Sequence, residues 1–304
     1  MTQLLNALPG ALAQGLIWGV MAIGVYITYK VLDIADLTVD GSICTGAAVC
    51  TMLLLGGQSP WLALLCAVLA GVLAGAVTGL LHVGLGIPPI LAGILTQMVL
   101  WSVNLKLLGK ANQALPARTT PVLLSQMDVG GALPVLLGFC VVLVALLVLF
   151  FGTELGCALR ATGCNPVMSR AQGVNTGLMK VVGPALSNGV VALSGALLCQ
   201  YQGYTDVNMG RGAVVIGLAA VVIGQAVLGR RGGRMAVQLG GVILGAVIYY
   251  IVYQVIIFAG FDTDLLKMFS TVVVAVFLGA PHVKAQLKAH SRSKKGDSGH
   301  AENE

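Results

Sequence analysis

A chain of 304 residues with 57% hydrophobic residues, 9% charged residues and a mean hydropathy of +0.93 cannot be an ordinary soluble domain; it is an integral membrane protein. Its formal net charge of +6 resides in short loops and in the C-terminal tail. With no basic face, it speaks against a nucleic-acid partner and reports membrane orientation instead.

The first residues, MTQLLNALPGALAQ, lack the cationic start and cleavage site of a signal peptide, so the first apolar stretch is read as retained. Apolar runs long enough to span, or nearly so, cover 12–31, 41–57, 61–83, 87–105, 132–151, 181–200, 212–228, 236–260 and 265–280. They predict an all-α polytopic membrane protein of about nine transmembrane segments. With the basic tail HVKAQLKAHSRSKK in the cytoplasm the N-terminus lies outside, and 12 of the 17 Lys and Arg residues fall inside, among them Lys30, Arg160, Arg170, Lys180 and Arg234. The transmembrane domain is assigned to 1–281 and a solvated, disordered cytoplasmic tail to 282–304.

The two halves, about 12–105 and 181–280, resemble each other. LAGVLAGAV at 69–77 returns as LGGVILGAV at 239–247, six identities in nine positions at an offset of 170, and LIWGVMA at 16–22 returns at the same offset as LSNGVVA. One spacing shared by several regions outweighs matches among Leu, Ala, Gly and Val that chance supplies easily. Since the first span enters and its partner leaves, the repeat is inverted, an architecture of transporters that open alternately to either side. The short segments at 41–57 and 212–228 are its broken helices, each preceded by an irregular polar stretch, LDIADLTVDG and YQGYTDVNMGRG. Asp36 and Thr38, with Asp206 and Asn208, are therefore candidates to line the solute path, weighed evenly against plain turns with helix caps. Gln97, Asn188 and Gln200, polar residues within spans, join them, as against simple bonds between helices. No Asp or Glu falls within the middle of a span, which argues against a carboxylate ion relay.

The one long polar interruption in the second half is the 29-residue stretch 152–180. Asn165 suits an N-cap, Pro166 the first helical position and Gly173 a left-handed C′ position, so 166–172 is predicted to be a short, fully punctuated helix. Val167, Met168 and Ala171 share one side, a small apolar knob on a cytoplasmic loop, while Arg170 and Gln172 face away. Docking into a partner is favoured over lying on the lipid surface, because two turns with one cation bind a membrane poorly. The chain has no GxxxxGK[ST] and no HExxH, and its four histidines are scattered. The seven cysteines include no CxxC and are read as reduced. The chain is thus read as a transport subunit and not an enzyme, with any ATP hydrolysed elsewhere.

The loop LRATGxNPxxxRAxGV, followed by a span and then a short Gly-rich span ending in IGQ, resembles the permease subunits of ABC importers for branched-chain amino acids, ribose and related solutes. The subgroup it most resembles is the one proposed to import hydrophobic or aromatic amino acids, and it departs from the branched-chain group at DIADLTVDG. The resemblance implies a coupling helix fitting a cleft on an ATP-binding subunit, with Arg160, Ala161, Gly163, Asn165, Pro166, Arg170 and Gly173 as contacts beside the knob residues Val167 and Met168. It also implies a second permease copy or related chain, an extracytoplasmic solute-binding protein, and a bacterial cytoplasmic (inner) membrane location. On that view this chain binds no cofactor, and ATP with Mg belongs to the partner. The resulting expectation is an ATP-driven import of a small neutral or zwitterionic solute, with a stand-alone secondary transporter or channel as the alternative.

Overall fold

A computed structural model describes residues 2–116, 120–228 and 234–258. The expected span at 265–280 and the tail at 282–304 lie outside the described residues. The helices are α1 (Thr2–Tyr26), continued by a π-helical turn (Ile27–Val31), α2 (Val39–Leu55), α3 (Pro60–Gly84), α4 (Pro89–Leu108) and α5 (Val129–Gly152). There follow α6 (Glu154–Cys164), α7 (Pro166–Ala171), α8 (Thr176–Gln202), α9 (Ala213–Leu228) and α10 (Met235–Phe258). Strands β1 (Asn112–Ala114) and β2 (Tyr204–Asp206) form a small antiparallel ribbon, with Asn112 opposite Asp206.

Local chemistry sets the helix ends. The Asp128 carboxylate accepts from Gly131 N at 3.0 Å to start α5, and the Asn175 side chain accepts from Leu178 N at 3.0 Å to start α8. Gly109 (φ 72°) and Gly203 (φ 75°) close α4 and α8 in the left-handed conformation. Among the described residues, six helices are long and apolar enough to cross a bilayer: α1 with its π turn, α3, α4, α5, α8 and α10. The 17 residues of α2 and the 16 of α9 reach only about 24–26 Å at 1.5 Å per residue, short of a roughly 30 Å hydrocarbon layer. Irregular linkers at 32–38 and 207–212 lead into these two short helices.

The halves interlock. The first helix of each, α1 and α8, cross at the centre, and the third helix of each, α3 and α10, packs on the other half's first. At the crossing, Ser187 Oγ donates to Gly24 O and Ser194 Oγ to Ile17 O, both at 2.7 Å. At the repeat offset Gly24 corresponds to Ser194 and Ile17 to Ser187, so the two bonds occupy equivalent positions about a pseudo-two-fold axis. Contacts that descend α8 as they ascend α1 make the pair antiparallel.

Close approach needs small residues. A Cβ at Gly75 would stand 2.1 Å from Pro184 O, and one at Gly71 would stand 2.3 Å from Asn188 O. On α10 the equivalent Gly245 faces Ala220 O at 2.0 Å. Gly71, Gly75 and Gly245, within the repeated segments 69–77 and 239–247, are therefore packing devices.

Candidate functional site

Two regions carry the features singled out in the sequence: the α6–α7 projection at one end of the bundle and the broken-helix centre.

The polar loop is more ordered than a loop with one short helix. Thr153 Oγ1 accepts from Gly156 N at 3.3 Å and starts α6, whose Leu159 and Thr162 are buried. A Cβ at Gly163 would lie 1.9 Å from Val31 O, so α6 rests directly on the π turn that ends α1, and only glycine fits there. Leu32 fills the next space, against Leu159 of α6 and Gly183 of α8. Gly163 therefore faces the chain's own helices. Ala161 supplies the carbonyl that accepts from Asn165 N at 3.0 Å.

The next helix has the predicted punctuation. Asn165 Oδ1 accepts from Val167 N at 3.1 Å and Met168 N at 3.0 Å, Pro166 opens α7, and Gly173 takes φ 87°. Ser169 is the buried anchor, its Oγ donating to Asn165 O at 2.9 Å. The sequence reading missed it, although a lone small hydroxyl among VMSRA was its only signal. Arg170 Nη2 donates to Thr176 Oγ1 at 3.1 Å and ties α7 to the start of α8. Arg160 Nη2 donates to Phe151 O at 3.3 Å. Outward project Val167, 78% exposed, and Met168, 58% exposed. Two apolar side chains held so far from the core by a rigid cap lose contact energy that only a partner or lipid can restore.

At the centre, Asp36 lies in the linker before α2 and is buried. Its Oδ1 accepts from Thr38 N at 2.8 Å and its Oδ2 from Asn188 Nδ2 at 2.7 Å, while Thr38 Oγ1 and Thr78 Oγ1 are hydrogen-bonded at 2.8 Å. Asn188 is in the middle of α8, so the re-entrant linker carries a carboxylate to mid-depth. No Asp or Glu lies within the six long described helices, as the sequence reading has it; the buried carboxylate belongs to the linker before α2. Thr78, which closes the cluster from α3, was not singled out in the sequence.

The second linker repeats the turn without the burial. Asp206 Oδ1 accepts from Asn208 N, as Asp36 Oδ1 accepts from Thr38 N, at equivalent repeat positions. Asp206 sits in the ribbon, its Oδ2 accepting from Asn112 Nδ2 at 3.4 Å, and Asn208 is exposed. The structure thus unites Asp36, Thr38 and Asn188 but leaves Asp206 and Asn208 apart from them. Gln200 is a buried tie, accepting from Leu123 N at 3.0 Å and donating to Cys50 Sγ at 3.4 Å. Gln97 lines a separate cavity between α2 and α4. No group of His, Cys, Asp and Glu suited to a metal ion occurs among the described residues.

Residues 8–280 match the family model described as "Branched-chain amino acid transport system / permease component". The chain is 37% identical over 287 residues to the tyrosine transport system permease protein of Clostridioides difficile (strain R20291), covering 93% of this chain and 94% of that one. It is 33% identical over 279 residues to an uncharacterized protein of Rickettsia prowazekii (strain Madrid E), covering 91% and 98%. Similarity to the autoinducer 2 import system permease protein LsrC of Escherichia coli (strain K12 / DH10B) is 29% over 216 residues, 67% of this chain and 60% of that one. No solved structure matches the chain.

Proposed function

This chain belongs to the family of branched-chain amino acid transport system permease components, and from that premise we propose that it is the membrane-spanning subunit of an ATP-driven importer. It is a multi-pass protein of the bacterial inner membrane, with Lys30, Arg160, Arg170, Lys180 and Arg234 gathered at the end that carries α6 and α7. The positive-inside rule assigns that end to the cytoplasm. The observation that carries the proposal is α7: capped, anchored by Ser169 and Arg170, and offering Val167 and Met168 outward. An ATP-binding subunit takes this helix in a cleft, a second permease copy or related chain completes the pathway, and an extracytoplasmic binding protein delivers the solute. ATP and Mg are held by the ATP-binding subunit.

The solute is a zwitterionic amino acid or related small compound; the tyrosine transport relative favours an amino acid with an apolar or aromatic side chain. Alternating access follows from two antiparallel halves that share the α1–α8 crossing and rock about it. Asp36, Thr38 and Asn188 are the inner part of the path and join the first broken helix to α8.

The test is reconstitution of the permease with and without its ATPase and binding protein. Uptake that requires ATP and all three components is expected. Uptake driven by an ion gradient with no ATPase present would show a secondary transporter instead. Within the complete importer, Asp36→Ala removes one of the two acceptors of the buried Asn188 Nδ2, leaving only Pro184 O at 2.9 Å, a loss of about 1–3 kcal/mol for a bond to a charged group. It should lower ATP-driven uptake about tenfold or more while the ATPase stays assembled, as pull-down of the complex would show; normal uptake by this variant would remove Asp36 from the path.

A further inference from the structure

A cavity of about 490 Å³ opens between α2, α4 and the linker that leads from β2 into α9. That volume falls within the roughly 300–1,000 Å³ of small-molecule sites. Its polar lining is unusual for a gap between helices. Asp40, in the first turn of α2, accepts from Gly212 N at Oδ2 and from Val214 N at Oδ1, each at 3.0 Å. One carboxylate thus serves the N-terminal ends of both broken helices, and each of its oxygens keeps a further lone pair.

Asn104 of α4 is fully buried, its Nδ2 directed to Gly41 O at 3.5 Å. Its Oδ1 has no hydrogen-bond partner among the described residues. A buried acceptor left without a donor is rare in folded proteins and marks a place where a donor belongs. Asn104 and Asp40 converge on the same stretch of backbone at Gly41. Arg211 borders the cavity from the α9 linker and forms no ion pair among the described residues. Trp101 and Met98, both partly exposed, supply an apolar wall.

We infer that this cavity holds the solute during passage and reads it as an α-amino acid. The ammonium meets the Asp40 carboxylate and Asn104 Oδ1, the carboxylate meets the Arg211 guanidinium, and the side chain lies along Trp101 and Met98. The assignment rests on the importer reading above and adds to it the recognition residues. A sugar would leave both the cationic and the anionic group unanswered in a site of low polarity; a zwitterion answers both and enters with no net charge.

The experiment uses the complete importer in proteoliposomes. Wild type is first screened for ATP-driven uptake of the twenty amino acids and of ribose. Arg211→Gln and Asn104→Leu are then compared on the transported solute, and Ser102→Cys, at the cavity mouth, is alkylated with a maleimide and read at that residue by mass spectrometry. Expected are at least tenfold lower uptake in both variants, and protection of residue 102 by the transported amino acid but not by its decarboxylated amine. Wild-type uptake rates in both variants together with no protection would overturn the assignment and leave the importer reading intact, as would ATP-driven uptake of ribose alone. Absence of any ATP dependence in the wild type would overturn the importer reading instead. The labelling arm uses neither Arg211→Gln nor Asn104→Leu, so a variant that fails to fold does not decide the outcome.

Discussion

Gly75→Val should keep the two halves from closing on each other, with loss of most folded protein in detergent and a lowered melting transition for what remains. The added Cβ would stand 2.1 Å from Pro184 O and 2.8 Å from Ala185 Cα. These are backbone atoms, which cannot swing aside like the end of a flexible side chain. Overpacking a core costs about 1–3 kcal/mol when side chains can yield, so that range is a floor here. Relief requires α3 to move off α8, and that separation would pull on the linker tied to both, to α3 by Thr38–Thr78 and to α8 by Asp36–Asn188. Gly138→Ala is the control: on α5, an added Cβ meets nothing within 4 Å. It should be neutral or gain about 0.5–1 kcal/mol from helix propensity. Equal melting curves for Gly75→Val and wild type, by size-exclusion chromatography after heating, would mean that α3 and α8 do not pack as described.

How far the sequence reaches depends on whether a feature is local. Helix positions were legible because apolar runs and caps lie along the chain: 61–83 became Pro60–Gly84, and 212–228 became Ala213–Leu228. The Asn165, Pro166 and Gly173 punctuation of α7 needs only nine residues of sequence to read. By contrast α6 was hidden by the polarity of its loop, although Thr153 two residues before Leu155, with Leu159 and Thr162 beyond, has a capped amphipathic pattern. The start of α8 at Thr176, earlier than the apolar run at 181, has the same cause: polar Thr176 and Lys180 lower the hydropathy of a turn that Asn175 caps. The three-residue strands β1 and β2 are too short to show any alternation.

The cavity was the least legible part. Gln97 stood out as a polar residue within a span, but nothing local joins it to Asn104, Asp40 or Arg211. The bonds from Asp40 to Gly212 and Val214 link residues more than 170 positions apart, through the meeting of two linkers from opposite halves. Only the fold makes that connection. The repeat predicts that the two linkers are equivalent, and their matching Asp turns agree, but it does not predict that one becomes buried while the other stays at the ribbon.

The Val167→Asp, Met168→Asp double variant should insert, fold and bind solute normally, yet lose at least about nine-tenths of solute-stimulated ATP hydrolysis and uptake. Burying a Val or Met side chain stabilises by about 1.5–3 kcal/mol, so two of them supply several kcal/mol of a docking contact, and a carboxylate in an apolar cleft adds a desolvation cost. Neither side chain helps the fold, since both project outward from a helix whose own anchors are Asn165, Ser169 and Arg170. The effect on transport follows from what lies behind α7. Movement of α7 bears on α6, α6 rests through Gly163 on Val31, and Leu32 wedges between Leu159 and Gly183 at the foot of α8. Four residues further on, Asp36 is bonded to Asn188 at the middle of that helix. A push on the exposed knob therefore reaches the broken helix through packed groups rather than through a flexible tether. Leu32→Ala should then weaken the link without touching the docking surface: the ATPase stays bound, while hydrolysis proceeds with less uptake per ATP. If the aspartate pair leaves stimulated hydrolysis unchanged, α7 does not receive the force. If it abolishes hydrolysis and Leu32→Ala keeps a wild-type ratio of uptake to ATP, the force enters at α7 but travels by another route.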